Sequence, residues 1–155
     1  GAGVKQPFAI DPGTTESGWL WWQNGVIRDS GVSPNETLML GVQSMRAPCD
    51  LAIEMIASYG MPVGREVFET CVWIGRFQQA WHTPSAVRLI YRREVKLHLC
   101  GTTKAKDPNV WQALLDKFGG ETAVGRKASP GPLYGVKSHA RAALAVAITA
   151  MEVTQ

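Results

Sequence analysis

Short apolar runs, each closed by a turn signal, set the first third of the chain. Residues 6–11 form an apolar run that ends on Asp11, and Pro12-Gly13-Thr14-Thr15 follows at once. This reads as a strand and a tight turn. Gly18 to Gln23 reads as a second strand, rich in Trp19, Trp21 and Trp22. Asn24-Gly25 is a hairpin signal, and Val26 to Ser30 is the expected return strand. Ser33-Pro34-Asn35-Glu36 opens a helix that holds Leu38, Leu40 and Val42, with Ser33 or Asn35 as candidate N-cap. Leu51-Ala52-Ile53-Glu54-Met55-Ile56 is a buried-strand pattern with one carboxylate inside it.

In the rest of the chain the period lengthens. After a loop at Gly60 to Gly64, residues 65–82 place Val67, Cys71, Ile74 and Gln78 at helical spacing, widened by Phe68, Val72 and Phe77. Ala86 to Ile90 is another β-branched stretch, and Tyr91 to Leu99 predicts a helix stopped by Gly101. Asp107-Pro108 predicts a helix start with Asp107 as N-cap, ending at Gly119-Gly120. Residues 121–137 read as an exposed loop, and Ser138 caps an Ala-rich helix to about Val153. The predicted class is α/β: an antiparallel meander feeding parallel strands in one mixed sheet, flanked by helices.

Length and composition fit this reading. A chain of 155 residues with 45% hydrophobic content suits one folded domain. Gly1-Ala2-Gly3 reads as a tag remnant, which leaves a single domain over 4–155. No apolar run is long enough for a bilayer and no signal-peptide pattern opens the chain, so no membrane partner and a cytoplasmic location are expected. The three cysteines are few and have no zinc spacing. The net charge of +3 is mild but unevenly placed. Residues 88–106 carry six basic side chains against Glu94 alone, and 126–141 carry four with no acid. Such a surface suits a polyanion such as DNA or RNA, or is simply solvated.

Three residues carry candidate chemistry. Asp11 at a strand end suits a divalent metal, or caps a hairpin turn. Glu54 within an apolar strand must point outward, pair with Arg or Lys, or bind a metal, because an unpartnered buried carboxylate is costly. Two carboxylates on adjacent strands can share a hard cation such as Mg²⁺. His139 lies in the first turn of the last helix, whose N-terminus also favours a phosphate.

Ile10-Asp-Pro-Gly-Thr-Thr-Glu-Ser-Gly-Trp19, Leu51-Ala-Ile-Glu54 and Ser138-His-Ala-Arg-Ala-Ala-Leu-Ala-Val-Ala147 resemble the RuvC-type Holliday junction resolvases of bacteria and phages. These belong to the ribonuclease H-like superfamily. The resemblance spans nearly the whole chain in motif order. It implies a homodimeric, Mg²⁺-dependent endonuclease, with Mn²⁺ as a substitute, that nicks opposed strands of a four-way DNA junction. Asp11, Glu54 and His139 match its catalytic and metal-binding residues. Its last helix usually adds a second ligand three residues on, where this chain has Ala142. That departure fits an inactive variant or a divergent branch, with Asp107 as a candidate additional ligand. Arg92, Arg93, Lys96, Lys104, Lys106, Arg126, Lys127 and Lys137 are the candidate DNA-phosphate contacts. Tyr59 and Met61, in the loop after Glu54, are candidates to stack on or wedge between bases. By the same resemblance, the helix over 65–82 forms much of a two-fold interface.

Other readings stay open. One is a ribonuclease H-like nuclease acting on other branched DNA or on RNA–DNA hybrids. Another is a catalytically silent junction-binding protein. The phosphotransferases that cradle ATP with a D-x-G-x-T turn are usually much longer, duplicated chains.

Overall fold

In the computed structural model, which describes residues 3–46 and 48–153, β1 (Pro7–Asp11) is the middle strand of a five-stranded sheet. Gly1 and Ala2 of the expected tag remnant, and the last two residues of the expected domain, lie outside the described residues. β2 (Glu16–Gln23) pairs antiparallel with β1, and β3 (Val26–Pro34) pairs antiparallel with β2. Asn24 and Gly25 form the turn between them, both at positive φ. β4 (Asp50–Met55) lies parallel to β1, and β5 (Arg88–Tyr91) parallel to β4. The order is β3-β2-β1-β4-β5. Among the described residues, five α-helices accompany the sheet: α1 (Asn35–Ser44), α2 (Arg65–Ala80), α3 (Arg92–Cys100), α4 (Asp107–Lys117) and α5 (His139–Glu152). This is the mixed α/β architecture that the sequence predicts.

Strand alternation sorts the core into two layers. Phe8 and Ile10 of β1 and Leu51 and Ile53 of β4 point to one face, where they pack with Leu38, Val42, Ile74 and Phe77 of α1 and α2. Trp19 and Trp21 join that layer. Ala9, Leu20, Ala52 and Ile90 point to the other face and meet α5. Ala9 and Ala52 are fully buried against a helix that presents Ala140, Ala143 and Ala147. Small side chains on both sides let the α5 backbone lie close to the sheet. Asp11 and Glu54 stand two residues beyond Ala9 and Ala52, and so emerge on this same face at the strand ends.

Several local expectations are corrected. β3 runs on to Pro34, past the expected end at Ser30, because Ser17 and Gly18 continue to pair with Ser33 and Val32. Neither Ser33 nor Asn35 caps α1. Pro34 holds the cap position and the Asn35 amide is drawn inward. Only Thr70, Ile74 and Phe77 of α2 are buried, one face at helical spacing. Phe68 and Val72 stand off that face and remain exposed. Residues 84–86 make a 3-10 turn, so β5 starts at Arg88 rather than at Ala86. Asp107 is the first residue of α4 and not its cap; the preceding Lys106 N–H is taken by the Asn109 side chain at 2.9 Å. Residues 121–137 are more than an exposed loop. They include a small hairpin, β6 (Gly125–Arg126) and β7 (Ser129–Pro130), and anchor Ala123, Leu133 and Val136 in the α5 layer. Ser138 sits at the start of α5 but makes no side-chain cap, with its backbone at φ 54°. Among the described residues, no helix is long and apolar enough to cross a membrane.

Candidate active site

Strand register brings the two carboxylates together. Ile10 pairs with Ile53 in the parallel β1–β4 ladder. Asp11 and Glu54 are the next residues on strands roughly 5 Å apart in the pairing direction. Both are buried, at 7% and 4% exposure.

The turn after Asp11 is held by a ring of hydrogen bonds. The Gly13 N–H donates to Ser17 Oγ at 3.1 Å, and Ser17 Oγ donates to Asn35 Oδ1 at 2.5 Å. Asn35 Nδ2 then donates back to the Gly13 carbonyl at 2.9 Å. Ser17 and Asn35 are themselves buried. This ring fixes where β1 ends and therefore where Asp11 points.

His139 reaches the pair from α5. Its Nδ1 lies 3.3 Å from Asp11 Oδ2, and its side chain is 64% exposed. Gly18 permits the approach. It is the strand partner of Asp11, and a Cβ there would fall 2.7 Å from His139 Cβ and nearer still to its backbone carbonyl. The end of α5 fits against β2 only over a residue without a side chain.

Burial and proximity shape the charge. Burial raises the Asp11 carboxyl to about 7, the Glu54 charge adds to the rise, and Arg92 and His139 oppose it. Glu54 is also pushed up, chiefly by burial, with Asp107 adding a smaller rise. The opposing charge is Arg92, whose Nε donates to Glu54 Oε1 at 2.6 Å. Two buried acids that resist ionisation form a site short of positive charge.

A groove of about 560 Å³ opens beside the pair, lined in part by Tyr59, Thr70, Arg92, Arg93 and Lys96. The Arg93 guanidinium lies over the Tyr59 ring at 5.2 Å. Met61 is exposed on the same loop as Tyr59. Lys104 and Lys106 are exposed on the α3–α4 connection, Arg126 and Lys127 on the β6–β7 hairpin, and Lys137 directly before α5. The fold thus gathers Asp11, Glu54, His139, Arg92, Arg93, Lys96 and Tyr59 around one end of the sheet, while the other candidate cations stand on separate loops.

No protein-family profile matches the chain, and no curated protein matches it. Solved structures do. A structure of Thermus thermophilus RuvC in complex with Holliday junction substrate superposes at TM-score 0.64 with 21% identity, covering 93% of this chain and 91% of that one. A second Thermus thermophilus RuvC structure gives TM-score 0.65 and 19% identity, over 94% and 92%. The fold is that of RuvC.

Within this RuvC fold the donor set fits a divalent cation in kind: two hard carboxylate oxygens, short of positive charge, with an imidazole beside them. Among the described residues, no three of His, Cys, Asp and Glu are gathered closely enough to hold an ion as they stand. Glu54 is turned to Arg92, and Ala142, one turn beyond His139 on α5, is half-buried and has no donor atom. Asp107 is free of capping duty, and its charge is felt at both Glu54 and Arg92.

Sequence reasoning placed Arg92 among the phosphate contacts and missed its bond to Glu54. The signal was the buried Glu itself, which required a partner; the identity of that partner was hidden by a separation of 38 residues. The bracing of the turn by Ser17 and Asn35, and the clearance provided by Gly18, were also missed.

Proposed function

We propose that the chain, over 4–155, is a metal-dependent endonuclease that resolves four-way DNA junctions by paired phosphodiester hydrolysis. The observation that carries this reading is the buried Asp11–Glu54 pair at adjacent parallel strand ends, with His139 against it, in the fold of a protein solved on a Holliday junction. Asp11 and Glu54 would hold Mg²⁺, or Mn²⁺ in its place, with His139 and Asp107 as further donors. Two such ions, when bound, would supply activation of the attacking water and stabilisation of the leaving oxygen.

The chain's own residues perform the remaining work. The Ser17–Asn35 ring holds Asp11 rigid, so the reacting geometry is set before DNA arrives. His139, exposed at the mouth, either completes the metal shell or orients the phosphate at the N-terminus of α5. Arg93 and Lys96 hold the backbone in the groove, and Tyr59, with Met61 beyond it, offers a surface to an unstacked base. Lys104, Lys106, Arg126, Lys127 and Lys137 extend the contact to further phosphates, which orient a branched substrate without reading its sequence. Phe68 and Val72, exposed side by side at helical spacing on α2, support a two-fold partner. By the same reading the enzyme works in the cytoplasm of a bacterial or phage-infected cell.

The test is cleavage of a synthetic four-way junction beside a matched linear duplex, a flap and an RNA–DNA hybrid, with Mg²⁺ or Mn²⁺. Paired symmetric nicks in the junction alone are expected, and Asp11→Asn abolishes them while binding persists. Equal cutting of every substrate overturns the junction assignment. A second reading, a junction-binding protein without catalysis, is favoured by Ala142 and by the occupation of Glu54 by Arg92. Tight junction binding with no nick at any metal concentration would establish it.

A further inference from the structure

Arg92 stands between two sites. On one side its Nε donates to Glu54 Oε1 at 2.6 Å, and the charges of Glu54, Asp11 and Asp107 all bear on it. On the other side it lines the groove with Arg93 and Lys96. Its side chain is 55% exposed, whereas that of Glu54 is 5% exposed. The bond to Glu54 uses Nε; among the described residues the two terminal nitrogens make no hydrogen bond. The guanidinium therefore supplies the positive charge that the acids lack, and keeps free donors directed elsewhere.

We propose that Arg92 is a positioning residue with two stations, coupling metal loading to DNA binding. In the free chain it neutralises Glu54 and holds the carboxylate away from a divalent cation. When a DNA backbone enters the groove, the guanidinium turns to a phosphate oxygen and releases Glu54 to the metal. The proposal rests on the nuclease reading of this site.

The physical basis is direct. A guanidinium binds carboxylate and phosphate with the same planar set of donors, so the exchange preserves its bonding. The move needs only a side-chain rotation in a half-exposed residue. A Glu54 carboxylate left alone would be a buried, uncompensated charge, so the departure of Arg92 and the arrival of a cation favour each other. DNA and metal must then bind with positive coupling, and the coupling must be reciprocal. A phosphate shared with the metal would itself give some coupling, so the mark of the gate is that the coupling shrinks, and DNA-free metal affinity rises, when Arg92 is removed; a merely structural ion pair predicts neither change.

The test is Mn²⁺ binding, followed by the EPR signal of the free ion, with and without a synthetic four-way junction. Gel analysis checks that the strands stay intact, and Asp11→Asn protein serves as the blank for ions held by the DNA. Wild-type protein is expected to bind Mn²⁺ at least about tenfold more tightly with the junction than without it. Arg92→Gln is expected to bind Mn²⁺ about tenfold more tightly than wild type without DNA, and to gain less than about twofold from the junction. Equal Mn²⁺ affinity of wild type with and without junction overturns the gate and leaves the metal site standing. No Mn²⁺ binding by wild type in either state overturns the nuclease reading itself. Near-UV circular dichroism reports whether Arg92→Gln folds; if it does not, Arg92→Met, which keeps the stem and removes the charge, takes its place, and a variant with wild-type Mn²⁺ affinity and wild-type gain from the junction overturns the gate.

Discussion

Gly18→Ala tests how the last helix is held against the strands that carry Asp11 and Glu54. Gly18 pairs with Asp11 across the β1–β2 ladder, and an added methyl would meet His139 Cβ at 2.7 Å and the His139 carbonyl more closely. Ordinary contact begins near 3.4 Å and the His139 carbonyl oxygen would stand at 2.3 Å, so the start of α5 must move by about 1.1 Å (3.4 less 2.3). The atoms in the way are backbone and Cβ, which no rotamer change can clear. Overpacking of this kind costs about 1–3 kcal/mol, offset by roughly 0.5–1 kcal/mol from removing a flexible glycine. With backbone atoms in the way the cost lies at the upper end of that range, and a net loss of about 1–2.5 kcal/mol lowers Tm by roughly 2–10 °C in a chain of this size. The His139–Asp11 contact is already 3.3 Å long and would be lost with the shift. A misplacement near 1 Å at a reacting centre costs on the order of 100-fold in rate. Gly41→Ala is the control, because a Cβ at that position in α1 meets nothing within 4 Å. Replacing a helical glycine there should add about 0.5–1 kcal/mol. Thermal unfolding of both variants and wild type, with junction cleavage alongside, reads the two effects. A Gly18→Ala protein that melts within about 1 °C of wild type and cuts equally would refute this account of how α5 is seated.

Three further outcomes are expected. Burial and the Glu54 charge raise the Asp11 carboxyl from 3.8 to about 7, so between those values the folded state binds the extra proton. The stability of the metal-free protein therefore falls as pH rises through this window; Asp11→Asn flattens the profile in urea unfolding at pH 5 and pH 8, and a profile that instead rises with pH would contradict the burial argument. Ala142→Asp adds a carboxylate one turn beyond His139 in half-open space and is expected to tighten Mn²⁺ binding about tenfold in calorimetry, each factor of ten being about 1.4 kcal/mol; unchanged affinity would place α5 outside the metal shell. Phe68→Asp, at a position 63% exposed on α2, is expected to leave a folded monomer in sedimentation equilibrium, whereas an unaltered dimer would locate the interface elsewhere.

By itself the sequence determined the alternation that makes β1 and β4, the carboxylate closing the first and set within the second, and the helix that begins with His139. These are local properties. Apolar period, turn chemistry and glycine stops are written within a few residues of where they act. Helix starts were less legible, since Asn35 and Asp107 have the side chains of caps yet are employed otherwise or lie one residue inside the helix. The tertiary structure decided what depends on distance through space. It sorted α2, giving Phe77 to the core and leaving Phe68 and Val72 outside. It set Gly18 beneath His139 and Asn35 behind the Asp11 turn. Above all it joined Arg92 to Glu54. The sequence shows that a buried glutamate needs a positive partner. Only packing selects which of the basic residues stands within 2.6 Å of it, because pairing energy depends on separation and burial, and neither is encoded in one-dimensional spacing.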